Sequence, residues 1–148
     1  MVRKYRQKDT KYILQIWLDG NIEAHPFISQ DYWRANYEKT REGLKEAEIF
    51  VYEIDGEICG FAGMIGDYLA GIFVKQGFRY MGIGTKLLSH IKKRHSSIIL
   101  HVYQKNESAV KFYLREMFEI VSKQTDGSTE EAEYKMRWKR CAFSNKDV

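Results

Sequence analysis

The segment Val74-Lys75-Gln76-Gly77-Phe78-Arg79-Tyr80-Met81-Gly82-Ile83-Gly84-Thr85-Lys86 leaves an apolar run and enters a helical pattern. The run before it, Leu69 to Val74, is apolar without alternation, and so is Ile98-Ile99-Leu100 leading to Val102. Such runs suit strands covered on both faces, usually parallel strands beneath helices. Between them Ile83, Leu87, Leu88 and Ile91 recur on one side of a helix. That helix closes on Lys92-Lys93-Arg94, cations that suit the negative end of its dipole. Strand, helix, strand in about 35 residues is a βαβ unit, expected to be right-handed. Glycines at the helix entrance let backbone N–H groups approach a ligand. The helix start adds unpaired N–H groups and a positive dipole end, which together suit a phosphate.

Spacing separates the loops that share this physics. A P-loop needs lysine directly after its second glycine, and Ile83 follows Gly82. A dinucleotide fingerprint needs a third glycine where Leu87 stands. Arg79-x-x-Gly82-x-Gly84 instead resembles the Arg/Gln-x-x-Gly-x-Gly/Ala signature of the GCN5-related N-acetyltransferases, the GNAT superfamily. Downstream, Leu100 to Tyr113 is similar to that family's strand, then Asn106, then Ala109, then Phe112-Tyr113 on a helix. The resemblance covers about Leu69 to Val121, and the rest agrees in element order. His25-Pro26-Phe27-Ile28-Ser29 followed by Tyr32-Trp33 resembles a small bacterial single-domain branch of the family.

Working outward, Val2 to Tyr5 reads as a first strand, and Asp9 or Thr10 as the cap of a helix carrying Ile13, Ile16, Trp17 and Leu18 and ending near Asn21. Ser29 or Asp31 opens a second helix through Tyr32, Trp33, Tyr37 and Leu44. Ile49 to Ile54, the turn pair Asp55-Gly56 and Glu57 to Ile65 read as a hairpin. Asn106 caps a helix whose apolar side holds Val110, Tyr113, Leu114 and Met117. Strands near Phe118–Ser122 and Glu133–Trp138 follow, turning near Asp126-Gly127. The expectation is an α/β fold: a GNAT-like mixed sheet, antiparallel at its start and parallel in its middle, flanked by about four helices. Residues 1–148 form one N-acetyltransferase domain on this reading.

The composition fits. The chain has 148 residues, 44% hydrophobic and 30% charged, with net charge +4 and a single proline, Pro26. That excludes a disordered tail, a collagen-like repeat and a disulfide scaffold. The basic N-terminus has no apolar stretch after it, so no signal peptide is expected, and no apolar run is long enough to span a membrane. Cys59 and Cys141 match no metal or redox spacing and suggest reduced thiols in the cytoplasm. The basic residues are scattered and carry no nucleic-acid-binding signature.

The resemblance implies acetyl-CoA as cosubstrate and transfer of its acetyl group to a primary amine by direct attack on the thioester. It also implies roles by position. The backbone of Ile72, Phe73 and Val74 would pair with the pantetheine arm, with Gly71 allowing a bulge beside it. Amides of Arg79, Tyr80, Met81, Gly82, Ile83, Gly84 and Thr85 would hold the pyrophosphate. Asn106 would contact the pantetheine, and Ala109 and Phe112 would pack near it. Tyr113 would be the catalytic residue, hydrogen-bonding the leaving sulfur. The acceptor is a protein lysine or N-terminus, or a small-molecule amine; both a monomer and a homodimer are consistent with the sequence.

Two departures touch local structure. Met117-Phe118 stands where the family often has Gly-Phe, and no proline precedes Arg79. A third touches chemistry. Many members place an acid where Ala70 stands. Asp67 and Tyr68 lie close in sequence, but the expected register does not put them there, and His25, Glu48 and Glu53 are other candidate bases. Ala70 also motivates an alternative, a catalytically weak acyl-CoA-binding regulatory module.

Overall fold

The computed structural model describes residues 1–141. Seven strands form one sheet in the order β1-β2-β3-β4-β5-β7-β6. They are β1 (Val2–Lys4), β2 (Glu48–Ile54), β3 (Glu57–Ile65), β4 (Tyr68–Val74), β5 (Ser97–Tyr103), β6 (Glu119–Thr125) and β7 (Ala132–Lys139). Only β4 and β5 run parallel; every other pairing is antiparallel. Five α-helices lie among the described residues: α1 (Thr10–Ala24), α2 (Gln30–Ala35), α3 (Tyr37–Gly43), α4 (Ile83–Lys92) and α5 (Glu107–Arg115).

The β2–β3 hairpin closes on Asp55 and Gly56 with φ of 50° and 82°, the positive pair a tight hairpin turn demands. Two cores flank the sheet. On one face Ile83, Leu87, Leu88 and Ile91 of α4, each at most 2% exposed, pack on Phe50, Ala62, Met64 and Leu69. The α5 residue Tyr113 joins that core. On the other face Ile13 and Ile16 of α1 pack on Ile49, Val51, Ile58 and Phe61. Burial of each such aliphatic side chain contributes roughly 1.5–3 kcal/mol.

Several sequence-based expectations shift. Asp9 makes no cap with its side chain; the carboxylate instead takes two bonds from the Arg3 guanidinium at 2.9 and 3.0 Å and one from the Arg6 amide. Helix α1 runs three residues past Asn21, to Ala24. Ser29 does cap α2, its hydroxyl accepting from the Asp31 amide at 3.2 Å, but the helix breaks at Asn36 and α3 begins anew. Leu114 and Met117 face solvent at 46% and 75% exposure, so the buried side of α5 is Val110, Phe112 and Tyr113. Met117 takes φ of 71°, filling the left-handed position where a glycine would be unstrained.

Strand β4 is not covered on both faces as its apolar run suggests. Leu69 is buried, whereas Ala70 is exposed and Gly71 to Val74 are half-buried. The reason is local. Strand β4 pairs with β5 only at Tyr68↔Ile99, supported by the Ile99 amide donating to the Asp67 carbonyl at 2.9 Å. Beyond that point the two strands part. Against β3 the register jumps from Met64↔Leu69 to Gly63↔Gly71, so Ala70 is the extra residue of a β-bulge.

Candidate active site

The parting of β4 and β5 opens a pocket of about 430 Å³. Tyr113 reaches it from α5, Ala70 and Ile72 from β4, and Asn106 and Ala109 from the start of α5. Past Tyr68 the edge of β4 facing β5 has no partner strand among the described residues, so Ile72 and Phe73 stand beside the pocket, with Val74 one residue beyond its lining. The Phe73 ring turns away, stacking on Phe61 at 5.3 Å, and a Cβ on Gly71 would meet it at 2.5 Å. Gly71 is therefore required by the close approach of Phe73.

The glycine loop turns through three left-handed residues, Gly77, Tyr80 and Gly82, with φ of 94°, 66° and 76°. Gly82 is the N-cap of α4, with no side-chain cap and no acid in the first turn. Its N–H groups therefore meet no built-in anion. A Cβ on Gly77 or Gly82 would meet nothing within 4 Å, so these glycines serve backbone conformation and leave the space above them open. Tyr80 is fully exposed and Met81 half exposed. The Arg79 side chain turns back: its guanidinium bonds the Glu23 carboxylate of α1 and its Nε donates to the Val74 carbonyl at 3.2 Å. It braces the loop. The Thr85 hydroxyl donates to Glu116 at 3.0 Å. Ile83 is buried in the core. Gly84 lets Phe112 lie on the start of α4, since a Cβ there would sit 3.3 Å from the ring. One helix start and one helix face are thus brought against each other.

Tyr113 is 8% exposed, and its ring meets Phe112 and Phe118 at 5.2 and 5.4 Å. Its hydroxyl makes no hydrogen bond among the described residues. Burial, with Tyr68 nearby, pushes its pKa well up, so the phenol stays protonated at neutral pH.

Asn106 caps α5 by accepting from the Ala109 amide at 3.4 Å, and its Nδ2 lies 3.3 Å from His25 Nε2. His25 Nδ1 sits 2.9 Å from the Asn21 carbonyl. A carbonyl only accepts, so Nδ1 carries the proton and Nε2 accepts from Asn106. Burial pushes the His25 pKa down, keeping it neutral. Both nitrogens are spent, and the ring is clamped by Trp33, Phe27 and Tyr103 at 5.1, 5.6 and 5.2 Å. His25 positions Asn106; it has no lone pair to serve as a base. Glu48 and Glu53 lie outside the pocket, one toward Arg94 and the other bonded to Arg3. Asp67 is bound to His95.

Tyr68, set aside as a match for the acid position, nevertheless lines the pocket. The bulge at Ala70 and the closing pair with Ile99 bring Tyr68 to the pocket, its hydroxyl 3.2 Å from His101 Nδ1. His101, Tyr103, Asp126 and Glu133 complete that side. Sequence reasoning named Glu133 only within a surface acid cluster and passed over His101, Tyr103 and Asp126 as site residues, because they come from β5 and a turn that only the sheet order joins to it. The alternation of β5, with Ile98, Leu100 and Val102 buried, was the available signal: it sends His101 and Tyr103 to the opposite face.

Comparisons with known proteins agree with this geometry. Residues 10–117 match the acetyltransferase (GNAT) family model. The chain is 34% identical over 140 residues to the peptidyl-lysine N-acetyltransferase YiaC of Escherichia coli, covering 93% of this chain and 96% of that protein. The solution structure of apo YjaB from Escherichia coli shares the fold with a TM-score of 0.82 at 22% identity, covering 93% of this chain and 96% of that one. The structure of yncA from Salmonella typhimurium with acetyl-CoA gives a TM-score of 0.66 at 16% identity, covering 94% and 92%. The chain belongs to the GNAT acetyltransferase family. Its reaction is the transfer of an acetyl group to an amine, and the family draws that group from acetyl-CoA. No helix among the described residues is long and apolar enough to cross a membrane.

Proposed function

We propose that this chain acetylates the ε-amine of lysine in a protein or peptide, using acetyl-CoA held in the gap between β4 and β5. The observation that carries this reading is Tyr113: a buried, protonated phenol whose hydroxyl has no hydrogen-bond partner among the described residues, at the point where two parallel strands separate. The residues fit the cosubstrate. The open edge of Ile72–Val74 suits an extended amide-bearing arm. The amides of Arg79, Tyr80, Met81, Gly82, Ile83, Gly84 and Thr85 suit a pyrophosphate, since no acid occupies the start of α4. Asn106, Ala109 and Phe112 border the same channel, with Phe112 against Gly84. Bound there, acetyl-CoA supplies an activated acyl group.

Tyr113 then offers a hydrogen bond to the departing sulfur. A thiol near pKa 8.5 is a weaker base than a phenolate near 10, so stabilising the developing thiolate contributes more than complete proton transfer. Lysine as acceptor follows the name of the YiaC relative and the acidic, aromatic side of the pocket, where Asp126 and Glu133 suit a cation and Tyr103 and Trp33 suit its methylene chain. The test is a melting-temperature measurement with millimolar acetyl-CoA, followed by CoA release with a lysine peptide and a panel of small amines. A rise in melting temperature and turnover favouring the peptide are expected; no rise overturns the reading.

A further inference from the structure

Ala70 leaves β4 without an acid, so the proton that an ammonium must lose needs another route. A lysine amine with pKa near 10.4 is free in only about one molecule per few thousand at pH 7. The pocket offers one connected path from its interior to water. Tyr68 lines the same pocket as Tyr113, and its nearness helps to raise the Tyr113 pKa. It is half-buried, and its hydroxyl is 3.2 Å from Nδ1 of His101, which is exposed.

We propose that Tyr68 and His101 form a proton relay that deprotonates the acceptor amine. The Tyr68 oxygen takes one proton from the ammonium while its own proton passes to His101 Nδ1. Tyr68 stays neutral, and His101, already protonated at Nε2, becomes imidazolium and discharges to solvent. The count closes. The ammonium brings three protons and the amide keeps one; one leaves through the relay and one goes to the sulfur as the C–S bond breaks and the N–C bond forms. Burial and the carboxylates of Glu133 and Asp126 push the Tyr68 pKa up. A standing phenolate is therefore disfavoured, and coupled movement of both protons is the accessible route.

His101 sits among Tyr68 from β4, Lys135 directly opposite it on β7, Glu133 on the same strand, Asp126 from the β6–β7 turn and Tyr113 from α5. Lys135 opposes the imidazolium, and the two carboxylates favour it. The relay requires His101 neutral before each turnover.

The inference rests on the acetyl-transfer reading, and the experiment separates the two. Tyr68→Phe and His101→Gln are assayed from about pH 6.5 to 10 with acetyl-CoA and a blocked lysine tripeptide. In the unaltered protein, imidazole ¹⁵N shifts assign the His101 tautomer. Expected are the Nε2–H tautomer, a fall in kcat of about 10²-fold at pH 7 for either variant, and a double variant no worse than either single one. The deficit shrinks several-fold toward pH 10, where solution deprotonates the amine unaided, and the KM for acetyl-CoA moves less than about two-fold. A deficit constant across pH, or the Nδ1–H tautomer in an active protein, overturns the relay alone. No turnover in the unaltered protein overturns both readings.

Discussion

The two walls of the β4–β5 gap are built to opposite specifications. The wall made by α4, α5 and Ile72 of β4 is apolar: Ile72, Gly84, Ala109, Phe112 and Tyr113. Its polarity comes from the uncapped amides at Gly82. The opposite wall carries Tyr68, His101, Tyr103, Asp126 and Glu133, a mesh of bonded titratable side chains. There Tyr103 donates to Asp126 at 2.5 Å, while Gln124 donates to Glu133 at 3.0 Å. Burial and the Asp126 contact push the Tyr103 pKa up; burial also pushes Asp126 up, but bonds from Tyr103 and Ser128 outweigh it and hold it low. A wall of backbone donors suits an anion whose identity is constant. A wall of side chains suits a cation whose surroundings vary, because side chains can change without moving the strands.

That contrast can be broken at its joint. Tyr113→Phe keeps the packing and removes the only free hydroxyl of the apolar wall. Steady-state kinetics should show kcat falling about 10²-fold, with acetyl-CoA affinity from calorimetry within about two-fold of the original. An equal loss in affinity would mean that Tyr113 serves binding, and the walls would no longer divide the labour.

A smaller effect is expected from Gly71→Ala. The new methyl meets Phe73 at 2.5 Å, and that ring is held between Phe61 and Gly20 of α1. Overpacking of this kind costs roughly 1–3 kcal/mol. Differential scanning calorimetry should register a drop of about 3–10 °C. An unchanged melting temperature would show that the Phe73 ring yields and does not require a glycine at position 71.

Asn106→Ala removes a cap and the partner of His25 Nε2, a loss of about 1 kcal/mol by denaturant unfolding. The smallest effect concerns pH. His25 is buried and its pKa lies below the ordinary value near 6.5, so the unfolded chain binds the proton more readily. Stability therefore falls as pH drops below about 6.5, and His25→Asn should flatten part of that slope in urea titrations at pH 7.5 and 5.5. His90, also lowered by burial, contributes with the same sign and remains in the variant.

The same two walls differ in how far they were legible. The loop, Asn106, Ala109, Phe112 and Tyr113 lie in two short runs, each strand to helix, and the family resemblance that those runs carry implied their arrangement. Helix α4 was readable because its four core residues recur at helical period and all are buried. The polar wall was not readable, because β7 slips between β5 and β6, and nothing local announces that insertion. Tyr68 was set aside for a related reason: an extra residue in β4 changes which side chains share a face. The helix break at Asn36 and the exposure of Leu114 were likewise decided by packing rather than by local pattern.

The bulge at Ala70 acts as a change of parity. A strand counts in twos, so Leu69 and Ile72, three apart, should point to opposite sides; yet both pack on the α4–α5 core, and Phe73 packs on the α1 side. One surplus residue resets the count. Deleting Ala70 would set Leu69 and Ile72 two apart, so ordinary alternation would keep both on the α4–α5 side and Phe73 toward α1; what would vanish is the bulge itself. Residue 70 thus supplies an interruption in the ladder rather than a side chain for the core, and many residue types could stand at this exposed position.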